Sequence, residues 1–208
     1  MRLESLLDAL FPAVCAACDR TGSGLCERCR PGPEARERFA LGGLPCLALG
    51  RYDGALLQAV LALKAGRRDV AAALGELLAG LAAEVALPGD ALVPVPTTAP
   101  RRRARGFDQA VLLAATAGRI AGVPPAAALV RIGGPAQHGL GRALRLAAAG
   151  RFRAEPAALA GRRAVLVDDV ATTGATLCEA AGVLEKAGAR VAAAIVVART
   201  HEAARNQP

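Results

Sequence analysis

Tryptophan is absent from this chain, and one tyrosine and four phenylalanines are the only aromatic residues among 208. A core built on aromatic rings is thereby excluded. The 53% of residues that are hydrophobic must pack mainly as Ala, Leu and Val. Stacking of a flat ligand has few candidate partners, chiefly Phe107 and Phe152, and both can equally belong to the core. Long uncharged apolar runs are lacking too. The most apolar long stretch, Val70 to Leu87, contains Glu76 and Glu84 and puts Val70, Leu74, Leu77, Leu78, Leu81 and Val85 on one helical face. It reads as an amphipathic helix and not as a membrane span. At the N-terminus Glu4 and Asp8 interrupt the apolar run, and Pro12 sits awkwardly before Cys15 for a lipoprotein cleavage site. No export signal is recognised, and a cytoplasmic location with no membrane partner is expected. Internal repeats are absent. Lysine is scarce, so the net charge of +8 rests almost wholly on arginine. That balance suits anionic ligands, small phosphates or nucleic acid, without choosing between them.

Four of the six cysteines form Cys15-x2-Cys18 and Cys26-x2-Cys29, with seven residues between the pairs. Two such knuckles read as one tetrahedral zinc site, and Gly22 and Gly24 let the pairs converge. Four thiolates can also hold an iron–sulfur cluster, and in a secreted protein the same cysteines would read as disulfides. A structural zinc predicts that chelation unfolds residues 15–29 and leaves the rest largely folded. Cys46 and Cys178 read as spectators, Cys178 as a small core residue of a helix.

Patterning predicts a short helix over Leu3 to Leu10, the cysteine segment to residue 30, and a Pro-, Gly- and charge-rich linker over 31–45. An α/β domain is expected over 46–200, followed by a polar tail over 201–208 in which His201 is inert. Within the domain, strands are expected at Leu47–Tyr52, Ala91–Val95, Ala127–Arg131, Ala164–Val167 and Val191–Val197. Helices are expected at Ala55–Lys64, Val70–Ala86, Asp108–Ala121 and Ala175–Ala187, the last two closed by Gly122 and Gly188. Alternating strands and helices imply a parallel sheet flanked by helices on both faces.

Two segments carry chemistry. In Val165-Leu166-Val167-Asp168-Asp169-Val170-Ala171-Thr172-Thr173-Gly174-Ala175-Thr176 a buried strand ends in two carboxylates and a loop of small and hydroxyl residues opens a helix. Ligands of parallel sheets sit beyond the carboxyl ends of strands, and phosphate binds at helix N-termini. Acceptors for hydroxyls beside donors for phosphate suit a phosphorylated sugar. In Val93-Pro94-Val95-Pro96, followed by Arg101, Arg102, Arg103 and Arg105, four arginines crowd a loop expected at the same sheet edge. Such a loop binds pyrophosphate through forked, charge-assisted hydrogen bonds, or is a solvated basic loop or nucleic-acid patch. Lys64 sits near the phosphates or only pairs with a surface acid.

The first segment resembles the 5-phosphoribosyl 1-diphosphate (PRPP) motif of type I phosphoribosyltransferases. Taken with the paired cysteines, Tyr52-Asp53-Gly54, Leu63-Lys64, Arg105-Gly106-Phe107-Asp108-Gln109 and Gln137-His138-x-Leu140, the chain resembles the ComF family, which includes competence-protein-F-like and GntX-type proteins. The resemblance implies a type I phosphoribosyltransferase fold with an N-terminal zinc ribbon and, in some bacteria, a role in DNA uptake. It implies PRPP held by Val170 to Thr176, the arginines 101–105 and Gln137, with Asp168 and Asp169 as catalytic acids, Mg²⁺ accompanying PRPP, and structural Zn²⁺ on Cys15, Cys18, Cys26 and Cys29. The acceptor is an unidentified nitrogenous compound. His138 reads as an exposed loop residue. Family members usually have Asn where Asp108 stands, many have a second ribbon where only Cys46 remains, and the Arg145 region lacks a usual Asn. A second class of function is a catalytically silent PRPP-fold protein that binds single-stranded DNA or a competence-helicase partner.

Overall fold

The computed structural model describes residues 12–87, 90–132 and 150–201. The helix expected over Leu3–Leu10 lies outside them, as do Gln137, His138 and Arg145. The described residues form strands β1 (Glu37–Leu41), β2 (Leu44–Ala48), β3 (Ala91–Pro94), β4 (Leu129–Arg131), β5 (Phe152–Ala154), β6 (Ala164–Ala171) and β7 (Val191–Arg199). The helices are α1 (Gly54–Lys64), α2 (Arg68–Val85), α3 (Ala99–Arg105), α4 (Gln109–Ala121) and α5 (Ala175–Lys186).

A five-stranded sheet runs in the order β1-β2-β7-β6-β3. Pairing is parallel from β2 to β3, and β1 closes one edge antiparallel to β2. The continuous aliphatic strands are buried on both faces, as parallel strands must be. Alternation along β6 shows how: Val165 and Val167 enter the core under α1, α2 and α4, whereas Ala164 and Leu166 enter the one under α5 and the β4–β5 ribbon. Aromatics contribute little to either core. Among the described residues, no helix is long and apolar enough to cross a membrane.

Three expectations are corrected. Residues 31–45, read as a linker, contain a 3₁₀ turn at Pro33–Ala35 and the edge strand β1. Alternation in β1 was hard to see because its inward positions include Glu37 as well as Phe39 and Leu41. The strand expected over Leu47–Tyr52 starts earlier, at Leu44, and ends at Ala48. The arginines 101–105 lie on a helix, α3, and not in a loop: Pro100 falls in its first turn and Gly106, at φ 77°, ends it.

Candidate active site

The strand carrying the two acids continues past them. β6 pairs with β7 as far as Ala171, so Asp168 and Asp169 are strand residues that alternate in direction. Asp169 follows Val165 and Val167 toward α1, where Lys64 Nζ lies 3.4 Å from its Oδ2. Lys64 is thus the partner of a site acid. Asp168 follows Leu166 toward the side of β4. Its Oδ1 accepts the Asp169 backbone N–H at 2.8 Å. Burial, and then the charge of Asp169, hold the Asp168 carboxyl well above the usual carboxylate range; that N–H and Lys64 oppose the shift.

Beyond the ends of β3 and β6 opens a cleft of about 380 Å³. Asp168, Asp169, Val170 and Thr176 reach it from β6 and the start of α5, and Arg101, Arg105, Asp108 and Gln109 from α3 and α4. Lys64, Arg131 and Arg151 complete its charged lining. The helix at 99–105 explains which arginines take part. Arg101 and Arg105 are one turn apart and share the face that borders the cleft, whereas Arg102 and Arg103 are exposed and do not line it. Thr172 and Thr173 are likewise exposed, Ala171 and Gly174 are buried, and Ala175 is exposed at the start of α5. Gly174 takes φ 78° and approaches Leu41 so closely that a Cβ would meet its side chain at 2.7 Å.

Arg131 and Arg151 come from the facing strand ends of the β4–β5 ribbon. Arg131 lies over the Phe152 ring at 5.0 Å. Burial, and then the charges of Arg151 and Arg101, lower its pKa, against Glu179 and Asp168. Among the described residues, three buried side-chain polar atoms lack a hydrogen-bond partner: Asp108 Oδ1, Gln109 Oε1 and Arg131 Nε. All three residues line this cleft. Buried polar atoms are normally satisfied, so the wall of the cleft holds hydrogen-bonding capacity that the protein itself leaves unused. The other Asp108 oxygen accepts the Thr97 N–H at 2.9 Å.

Sequence reasoning missed Arg131 and Arg151. A basic residue ending a strand at the same sheet edge was the available signal for Arg131; Arg151 follows a low-complexity stretch and offered none. Phe107 and Phe152 are 7% and 3% exposed, and each has an arginine over its ring, so neither is free to stack a ligand. His201, read as inert, places Nε2 2.9 Å from the Glu37 carboxylate.

The other cluster is sulfur. The Sγ atoms of Cys15, Cys18, Cys26 and Cys29 all lie within 4.8 Å of one another. Cys18 and Cys26 are 3.6 Å apart, near the ~3.8 Å that Zn–S bonds of ~2.3 Å require in a tetrahedron. Burial resists charge on Cys15, but N–H donors of Cys26, Ala17 and Cys18 and the Cys26 thiol outweigh it and lower the thiol to about 6. Hydrogen bonding to Cys18, then burial, push Cys29 up to about 12. One favoured thiolate among crowded thiols is a set that a divalent cation completes, and the residues fit zinc. Cys46 and Cys178 stand apart from it: their Sγ atoms donate to Leu44 O and Leu41 O, and burial and then Cys178 push Cys46 up to about 11.

The sulfur cluster is not a separate appendage. Leu25 is fully buried in the same core as Val70 and Leu74, and a Cβ on Gly24 would fall 2.6 Å from the Asp69–Val70 backbone. The expectation that chelation would touch residues 15–29 alone therefore changes. Stripping the metal from zinc-loaded protein should raise amide exchange in the first turns of α2 as well. Faster exchange confined to residues 15–29 would refute this.

Residues 135–207 match the family model described as the phosphoribosyl transferase domain. That segment is similar to phosphoribosyltransferase domains. It includes Asp168, Asp169 and the 171–176 loop, and the sheet with flanking helices agrees with the expected fold class. A solved structure described as the allosteric regulatory enzyme of purine biosynthesis is similar at 23% identity and TM-score 0.45, over 62% of this chain and 26% of that one. No curated protein matches the chain.

Proposed function

We propose that the protein is a phosphoribosyltransferase of the ComF type that uses PRPP and Mg²⁺ to form an N-glycosidic bond with a nitrogenous acceptor. The observation that carries the reading is the cleft along the second half of β6, in which two acids face a ring of cations. The family match over 135–207 supports it.

In this reading the loop from Ala171 to Thr176 receives the 5-phosphate through backbone N–H groups and hydroxyls. Asp168 and Asp169 accept the ribose hydroxyls, or hold Mg²⁺ through water. Mg²⁺, when bound, supplies charge neutralisation to the pyrophosphate leaving group. Arg101 and Arg105 approach the pyrophosphate from α3, and Lys64 from α1. As the bond from C1 to pyrophosphate breaks, positive charge grows on the ribose ring, and the paired carboxylates stabilise it. The acceptor nitrogen then attacks C1.

Titration calorimetry tests the reading. PRPP with Mg²⁺ should bind the wild type and lose measurable binding in Asp168→Asn/Asp169→Asn. A folded wild type that takes up no PRPP would overturn it. The second reading, a silent protein that binds nucleic acid or a competence partner, is favoured by one observation: Arg102 and Arg103 are exposed outside the cleft. It predicts binding that weakens steeply with salt.

A further inference from the structure

Arg151 makes contacts that the PRPP motif does not foresee. Its Nη1 donates to Thr176 Oγ1 at 3.1 Å, and its Nη2 to the Ala175 carbonyl at 3.0 Å. The rest of the residue is held by Glu179, whose carboxylate accepts both Arg151 Nε–H and the Arg151 backbone N–H. Glu179 stands three positions after Thr176 on α5, so one helix face carries both the hydroxyl and the anchor of the arginine that grips it. Thr176 and Arg151 line the cleft; Glu179 does not.

A hydroxyl has one proton and two lone pairs. A guanidinium N–H pointed at Oγ1 occupies a lone pair and repels the hydroxyl proton, which must turn elsewhere. We propose that Arg151, clamped by Glu179, is a positioning residue that turns the Thr176 hydroxyl proton away from itself and so favours the 5-phosphate of the sugar at this end of the cleft. The inference rests on the PRPP reading and adds to it a residue outside the motif. A neutral hydroxyl ligand could use a threonine in either direction. An anion accepts only, and a threonine whose proton is turned away from Arg151 is oriented to donate to it. The Arg151 cation strengthens that preference.

The test separates the two ends of the cleft. Ribose 5-phosphate probes the loop end, and pyrophosphate with Mg²⁺ probes the arginine end of α3. By calorimetry, Arg151→Ala, Glu179→Ala and Thr176→Ala should each weaken ribose 5-phosphate at least ~10-fold, the cost of one hydrogen bond to a charged group. Pyrophosphate affinity should stay within ~2-fold. Arg151→Lys, which keeps the charge and loses the fork, should resemble Arg151→Ala. Arg151→Ala/Thr176→Ala should lose little more than either single variant, because both break one arrangement. Additive losses, wild-type ribose 5-phosphate affinity in Arg151→Lys, or equal weakening of both probes would overturn the positioning role while leaving PRPP binding intact. Wild-type protein that binds neither probe nor PRPP would overturn the PRPP reading and this inference with it. Matching far-ultraviolet circular dichroism of the variants excludes loss of the fold.

Discussion

Asp168→Asn should make the ligand-free protein more stable at neutral pH while lowering PRPP turnover at least ~100-fold, the order expected when a charge aimed at a transition state is removed. The sign follows from the site. Burial and the neighbouring Asp169 raise the Asp168 pKa in the folded chain, while the unfolded chain titrates near the ordinary ~3.9. Between those values the folded state holds a proton that the unfolded state has released. Stability therefore falls as pH rises through that window, and the cost is fully present above the folded pKa. Asparagine keeps the oxygen that accepts the Asp169 N–H and carries no charge to desolvate. Melting temperatures measured from pH 4 to 8 should fall for the wild type relative to the variant. Parallel curves would contradict the assignment. Such an exchange of stability for function is the behaviour of a residue kept for chemistry.

The second large effect concerns the face of α3. Arg101→Ala/Arg105→Ala should weaken PRPP–Mg²⁺ by about two orders of magnitude, as expected for two charge-assisted contacts. Arg102→Ala/Arg103→Ala should change it less than ~2-fold, because those side chains do not line the cleft. Calorimetry on the two double variants gives the answer directly. If the pairs lose equally, the helix acts through bulk charge and the face argument fails. If only Arg102→Ala/Arg103→Ala abolishes single-stranded DNA binding, the exposed pair serves the second reading, and both activities reside on one helix.

Much of the sheet was legible because the first half of β6 and nearly all of β7 are continuous aliphatic runs, a pattern that parallel strands impose. Gly122 and Gly188 marked helix ends correctly. Less was legible where local and tertiary signals part. Nothing in Arg101-Arg102-Arg103 distinguishes a basic loop from a basic helix; Pro100 at the start and Gly106 at the end were the clues. Edge strand β1 carries charged residues among few apolar ones, and only its pairing with β2 reveals it. The motif located the acids, yet their opposite directions depend on β6 continuing past them. Arg151 reaches Thr176 across 25 residues of sequence, a contact that no local spacing encodes.

The pairing of Lys64 with Asp169 has an optical corollary. Lys64 Nζ also lies 5.9 Å from the centre of the Tyr52 ring. Tyr52 is the only tyrosine, and there is no tryptophan to mask it. The ultraviolet emission of the whole chain therefore issues chiefly from one ring, whose neighbouring cation is bound to a residue of the candidate site. A change in Tyr52 emission on addition of PRPP with Mg²⁺ is therefore the expected label-free signal of a ligand that draws Lys64 away from the ring.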